Sequence, residues 1–223
     1  MPSFKIIVSF SAGFFTFVEL LTPLPEALNT SKTKNLILKI ERPIIEFVML
    51  LSNITWFLYG LTQKEVALTL MHFIGIFFSA YYSSISFNHS THKNELKFPF
   101  RFIGVMISLA LLGSVIFSIQ TKELLYGIFA VIFDLAIQIT PLYQFRRIFQ
   151  TKNNPNQILF FASIISFCVN FSWIFYGIVI SDIFVTIPSS IGAFLNLIQL
   201  YIYLHFRFGI RFRLNNSSLT EIL

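Results

Sequence analysis

Apolar residues gather in seven continuous runs, at about 4–22, 44–61, 66–87, 99–119, 124–145, 158–180 and 183–206. Each approaches the roughly 20 residues a helix needs to cross the hydrocarbon of a bilayer. The runs are continuous rather than alternating in polarity, which argues against the strands of a membrane barrel. The pattern therefore predicts an all-α integral membrane protein with seven transmembrane helices. Two boundaries stand out: the second run is short and holds Glu46, and the first is broken near its end by Pro23 and Pro25.

Composition sharpens this picture. Of the 223 residues, 55% are hydrophobic and only 12% charged, whereas a soluble domain carries roughly 25% charged residues. The 29 phenylalanines exceed what one soluble core hides without leaving large apolar patches outside. The single Cys168 excludes an intramolecular disulfide. The net charge of +6 is spread between apolar runs, which is no nucleic-acid surface. Its distribution sets the orientation. Thirteen of the 16 Lys and Arg follow the first, third, fifth and seventh runs, and only Lys5, Lys64 and Lys122 fall on the other side. The positive-inside rule then puts the N-terminus outside and the C-terminus in the cytoplasm. The first run is not read as a cleaved signal peptide, because residues just after it belong to a repeat. The six N-x-S/T triplets fall in spans or on the cytoplasmic side, so no N-glycan is expected.

That repeat is the most informative feature. Thr22-Pro23-Leu24 recurs as Thr140-Pro141-Leu142, and Thr33-Lys34-Asn35 as Thr151-Lys152-Asn153, both at an offset of 118. Asn53-x-x-Trp56-x-x-Tyr59-Gly60 recurs as Asn170-x-x-Trp173-x-x-Tyr176-Gly177 at 117, and Gly75 as Gly192, also at 117. Spans one to three thus match spans five to seven, and span four has no mate. Three helices are an odd number, so one extra helix is needed to point both copies the same way. Two parallel three-helix bundles joined by a linker helix follow, with a binding site expected between them. The expected divisions are 1–97, a linker helix at 98–122, 123–206, and a basic cytoplasmic tail at 207–223.

Helical spacing suggests which faces line that site. His72, Gly75, Ser79, Tyr82 and Ser86 form one stripe on the third span, and Ser189, Gly192, Asn196 and Gln199 form its equivalent on the seventh. Small and polar residues are also common helix–helix glue in membranes. Glue alone, however, gives no reason for the stripe to recur in both halves.

These motifs, in a 3+1+3 layout over nearly all of 20–206, resemble the SWEET sugar transporters. The resemblance implies a bidirectional, energy-independent carrier for a mono- or disaccharide. It puts sugar-facing residues at His72 and Ser189, where the family carries Asn, and an aromatic platform at Trp173 with Trp56 as its mate. Ile54 stands where some members have a polar pocket residue. The resemblance also implies an outer gate at Asp182 and Tyr176 and an inner gate of prolines at Pro23, Pro43 and Pro141. The fourth gate position reads Leu159, with Pro155 nearby. Homo-oligomer assembly is a further expectation from the family.

The chemistry of the residues is compatible. A sugar needs hydrogen-bonding groups for its hydroxyls, here His72, Ser189 and Asn196, and an apolar face for its ring, here Trp173 and Trp56. Each Trp also has an alternative place in an interfacial belt. Pro23 and Pro141 sit at matching places, and a proline within a span permits a kink. Asp134, in the middle of span five, is a candidate proton site, and His72 raises the same question because imidazole changes charge near neutrality. Glu19 and Glu46 have no mates and no assigned role. No metal or cofactor is expected, and no enzyme motif is found. The partners expected are a small sugar and lipid, with the basic tail against anionic lipid, in the plasma membrane or a Golgi-type endomembrane. The competing readings are a PQ-loop-like amino-acid transporter, although Pro-Leu stands here for Pro-Gln, and a divergent regulatory subunit that does not transport.

Overall fold

The computed structural model describes residues 2–25, 27–28, 43–89, 93–151 and 157–220. They form seven helices: α1 (Pro2–Leu21), α2 (Pro43–Gln63), α3 (Val66–His89), α4 (Lys93–Ile116), α5 (Ile119–Thr151), α6 (Gln157–Ile180) and α7 (Ile183–Thr220). Among the described residues, six of them hold a stretch long and apolar enough to cross a membrane, from Phe4–Leu21 in α1 to Ile183–His205 in α7. Large apolar side chains cover the outside, including Phe10 at 76% exposure and Val115 at 84%, while Thr16, Asn53, Asn170 and Asn196 are buried. This is the inverse of a soluble protein, as expected where the solvent for the outer surface is lipid.

Two expected boundaries move. The fourth and fifth helices meet near residue 118 rather than 122, and α7 runs on to Thr220 where a tail was expected from 207. No proline follows Pro188, so nothing in the sequence obliges that helix to stop.

The repeat is visible in the turns. Lys64 and Ser181, 117 residues apart, both adopt a φ of 57°. At the first turn the Lys64 N–H donates to Leu61 O at 3.3 Å and the Glu65 N–H to Gly60 O at 3.0 Å. At the second, Ser181 donates to Ile178 O at 3.1 Å and Asp182 to Gly177 O at 2.8 Å. Both are Schellman closures, ending one helix with a left-handed residue and starting the next at once. Gly60 and Gly177 are required here, because a Cβ on either would lie 2.9 Å from the backbone nitrogen of Thr69 or Thr186.

Neighbour relations close a ring. Within each repeat the third helix lies between the other two, giving the orders α1–α3–α2 and α5–α7–α6. The repeats meet at α2–α5 and at α1–α6, and α4 packs outside the ring against α2. Six helices thereby surround a centre, with the seventh as a strut that carries the chain from one repeat to the other.

Candidate functional site

The centre of the ring is a cavity of about 310 Å³ walled by both repeats. A larger depression of about 680 Å³ lies between α1 and α3, but apolar side chains such as Phe10, Phe14 and Leu70 line it, as suits a lipid-facing groove. The polar groups converge in the central cavity.

Its frame comes from two asparagine–glycine contacts. Asn53 on α2 lies so close to Gly75 on α3 that a Cβ there would collide with its Oδ1, and Asn170 on α6 faces Gly192 on α7 in the same way. Each asparagine also donates through Nδ2 to the carbonyl one turn back, to Met49 O and to Ser166 O, both at 2.9 Å. The remaining Oδ1 is satisfied differently in the two halves. Asn53 Oδ1 lies 3.1 Å from His72 Nδ1, whereas Asn170 Oδ1 accepts from Gln138 Nε2 on α5 at 3.0 Å.

Both tryptophans belong to the cavity wall, and neither is a belt residue: Trp56 is 5% exposed and Trp173 6%. Between them lies His72, stacked on Trp56 at 5.7 Å and 19° and tilted against Trp173 at 6.0 Å and 30°. Trp173 Nε1 donates to Thr16 Oγ1 on α1 at 2.8 Å, tying the second repeat to the first. Ser189 and Asn196 also line the cavity. Asn196 Nδ2, with Gln199 Nε2 one turn on, is buried without a hydrogen-bond partner. Of the polar stripe, Ser79 bonds to its own helix at Gly75 O and Gln199 accepts from Ser163, so part of the stripe serves helix packing.

Two carboxylates reach the same space, Asp134 from α5 and Glu19 from α1. Glu19 accepts a hydrogen bond from Ser166 Oγ on α6. Among the described residues no group of three or more His, Cys, Asp or Glu is placed to hold a metal.

At the end of the bundle where the two tight turns lie, the repeats are crossed. Tyr59 donates to Asp182 Oδ2 at 2.8 Å, and Tyr176 donates to Glu65 Oε2 at 2.7 Å. Both rings are almost wholly buried, at 1% and 0% exposure. The second oxygen of each acid is anchored: Asp182 Oδ1 caps α7 at the Phe184 N–H, 2.8 Å, and Glu65 Oε1 pairs with Lys5 Nζ at 2.8 Å.

Thus Asp182 and Tyr176 sit at one end, the first bonded to Tyr59 of the repeated motif and the second to Glu65, which the motif reading passed over. An offset of 117 from each leads to those residues, Glu65 and Tyr59. His72, Ser189, Trp56, Trp173, Asn196 and Asp134 share the cavity. Ile54 does not: it lines a separate apolar pocket between α2, α4 and α5, and Ser52 takes a place in the cavity instead. Pro23 lines the cavity just past the end of α1, whereas α5 continues through Pro141. The side chains of Pro43, Pro141 and Leu159, and all of Pro155, lie outside the described residues.

Two matched three-helix repeats around a polar cavity, sheathed in apolar side chains, define an all-helical multi-pass membrane protein of the two-repeat carrier class. The family model described as "Sugar efflux transporter for intercellular exchange" matches residues 6–94 and 124–208, leaving out a stretch that holds most of α4. The chain belongs to this family, the SWEET transporters. Among similar proteins, the sugar transporter SWEET1 of Xenopus laevis is 26% identical over 165 residues, 70% of this chain and 73% of that protein. The bidirectional sugar transporter SWEET7b of Oryza sativa subsp. japonica is 27% identical over 206 residues, 88% of this chain and 76% of that protein. A solved structure of a eukaryotic SWEET transporter superposes with a TM-score of 0.76 at 17% identity, covering 91% of this chain and 96% of that one. That likeness bears on the fold.

Proposed function

We propose that this protein moves a mono- or disaccharide across a membrane by alternating access, in either direction and down the sugar's own gradient. The observation that carries the reading is the cavity between the repeats, flanked by Trp56 and Trp173 and edged by polar side chains. A pyranose presents apolar C–H faces and a rim of hydroxyls, and such a wall meets both. In this reading Trp173 is the main platform, and Ser189, His72 and Asn196 bond hydroxyls.

The crossed tyrosine–carboxylate bonds are the outer gate, since Lys5, Lys64 and Lys122 lie on the side the charge rule assigns to the outside. Pro23, Pro43 and Pro141 act at the inner gate, where the break at Pro23 and the continuous helix at Pro141 give the two halves different freedom. The chain then divides into two repeats, a linker helix and a basic C-terminal segment against anionic lipid. A homo-oligomer in the plasma membrane is the assembly expected, with a Golgi-type membrane as the alternative.

Counterflow of labelled glucose and sucrose in proteoliposomes, at two pH values and with Trp173→Ala alongside, tests the reading. Counterflow that needs no ion gradient, is indifferent to pH and is lost in the variant is the expected result. Flux that needs acid would replace uniport with a coupled mechanism at Asp134. Silence across sugars would instead make this a member that does not transport.

A further inference from the structure

A cavity built only for a neutral sugar has no use for two uncompensated acids, yet Glu19 and Asp134 both line this one. No lysine or arginine lines it among the described residues. The one basic side chain in the wall, His72, has its ring against two indoles and its Nδ1 at Asn53, and forms no ion pair with either acid. Charge without a partner is costly in a low-dielectric interior. Both acids are additions to the repeat. At an offset of 118, Glu19 is matched by Ile137 and Asp134 by Thr16.

Two further observations narrow what would compensate them. Glu19 is held by Ser166 Oγ, leaving acceptor capacity on both acids. A group with several donors, such as an ammonium with three, suits two separately held acceptors. Independently, Asn196 is 2% exposed, lines the same cavity, and has an Nδ2 with no partner in the protein. A buried donor of that kind is worth most against an acceptor brought by a ligand. The ligand thus needs a cation for the acids, a hydroxyl oxygen for Asn196 and an apolar face for the indoles, which also attract a cation held over them.

We infer that the cavity takes an amine-bearing monosaccharide, its ammonium held by Glu19 and Asp134 and a ring hydroxyl by Asn196. The inference rests on the carrier reading and deepens it. It concerns what the cargo is, and leaves the energetics of passage as they stand.

The chain has two tryptophans and both line the cavity, so intrinsic fluorescence reports occupancy without any transport assay. Protein in nanodiscs is titrated with glucosamine, N-acetylglucosamine and glucose at neutral pH, where most of the free amine is protonated and no added acid neutralises the buried carboxylates. Glucosamine is expected to half-saturate at about a tenfold lower concentration than the other two, the scale of one charge-assisted hydrogen bond. Asp134→Asn and Glu19→Gln should each bring the glucosamine-to-glucose ratio close to one, and Asp134→Glu should restore most of it. Equal half-saturation in the unaltered protein overturns the inference, and this arm does not depend on any variant folding. A preference that survives both substitutions overturns the assignment to these acids. Acidification of the liposome lumen driven by glucose would put a proton on the acids and likewise overturn it. Glucose counterflow without a glucosamine preference leaves the carrier reading standing alone. Glucosamine binding without flux of any sugar keeps the site and removes the carrier.

Discussion

The two halves of the ring hold the same asparagine against the same glycine, yet complete the contact by different means. In the first repeat, Asn53 Oδ1 meets His72 from the neighbouring helix of its own bundle. In the second, Asn170 Oδ1 meets Gln138, and Gly192 leaves room for both, since a Cβ there would lie 2.6 Å from Gln138 Nε2. Ser189, the mate of His72, is left to line the cavity. The same holds one layer away, where Thr16 accepts from Trp173 and its mate is Asp134. Backbone approach, turn geometry and the asparagines themselves are duplicated, whereas the partners of those asparagines and the acids facing the centre are not. A duplicated frame sets where the walls stand, and the unduplicated residues decide what they recognise.

The largest test of that division sets one tryptophan against the other. Trp173→Ala removes a buried indole and its bond to Thr16, and a cost of about 3–5 kcal/mol is expected, with counterflow lost. Trp56→Ala removes a similar area without breaking the Trp173–Thr16 bond. The sharper contrast comes from phenylalanine. Trp173→Phe should cost about 1 kcal/mol more than Trp56→Phe, the net worth of one hydrogen bond, read as a difference in melting temperature. Equal shifts would mean that the Thr16 bond does not distinguish the halves.

The glycines test the frame itself. At Gly60 and Gly177 an added Cβ meets a backbone nitrogen at 2.9 Å, an obstacle that a side-chain rotation cannot clear. Gly60→Ala and Gly177→Ala should therefore destabilise alike, each by about 1–3 kcal/mol. At Gly75 and Gly192 the obstacles are side-chain ends, and they differ in number: Asn53 alone in the first case, Asn170 with Gln138 in the second. Gly192→Ala is expected to melt lower than Gly75→Ala. Matched losses in the first pair with unmatched losses in the second would separate duplicated backbone from divergent side chains.

Much of this frame is legible in the sequence. Apolar runs give membrane helices almost by arithmetic, and the offsets of 117 and 118 name the equivalent positions. Rotation of each helix about its axis was harder, because a span with lipid on one face and packed neighbours on the other is apolar on both. This is why spacing does not distinguish Ser52, which lines the cavity, from Ile54, two residues away, which does not. It is also why the stacking of the His72 ring between the two indoles is not legible in the spacing. Tyr59 stands in the repeated motif and Glu65 is reached by the offset from Asp182, but their partners are not legible, since contacts that cross between repeats leave no local pattern. Glu19 left no trace in the repeat, because it departs from it.

At the turn end the comparison becomes one of anchors. Tyr59→Phe and Tyr176→Phe each delete one bond to a carboxylate, about 1.5–3 kcal/mol, and should shift the carrier toward the state open at that end. Labelling of a cysteine placed on the cavity wall reads the shift. Asp182 is anchored by the backbone of α7, through the Phe184 N–H, whereas Glu65 is anchored by Lys5, a side chain 44% exposed. The Tyr59 bond is therefore made to the stiffer acceptor, and its loss should raise labelling more than loss of the Tyr176 bond.

The smallest effect isolates that anchor. Lys5→Met keeps the apolar stem of the side chain and removes the charge next to Glu65. An exposed ion pair is worth about 0.2–1 kcal/mol and is screened by salt. Labelling should rise slightly in this variant at low salt, and the difference from the unaltered protein should shrink as salt is added. The Asp182 arm involves no lysine, so Tyr59→Phe should show no such convergence with salt. A Lys5→Met effect as large as that of Tyr176→Phe would mean that the Lys5 charge carries the whole arm, whereas no effect at any salt concentration would mean that Lys5 holds α1 against the turn by packing rather than by charge. The two arms of the latch would then be equivalent in strength, as they are in geometry.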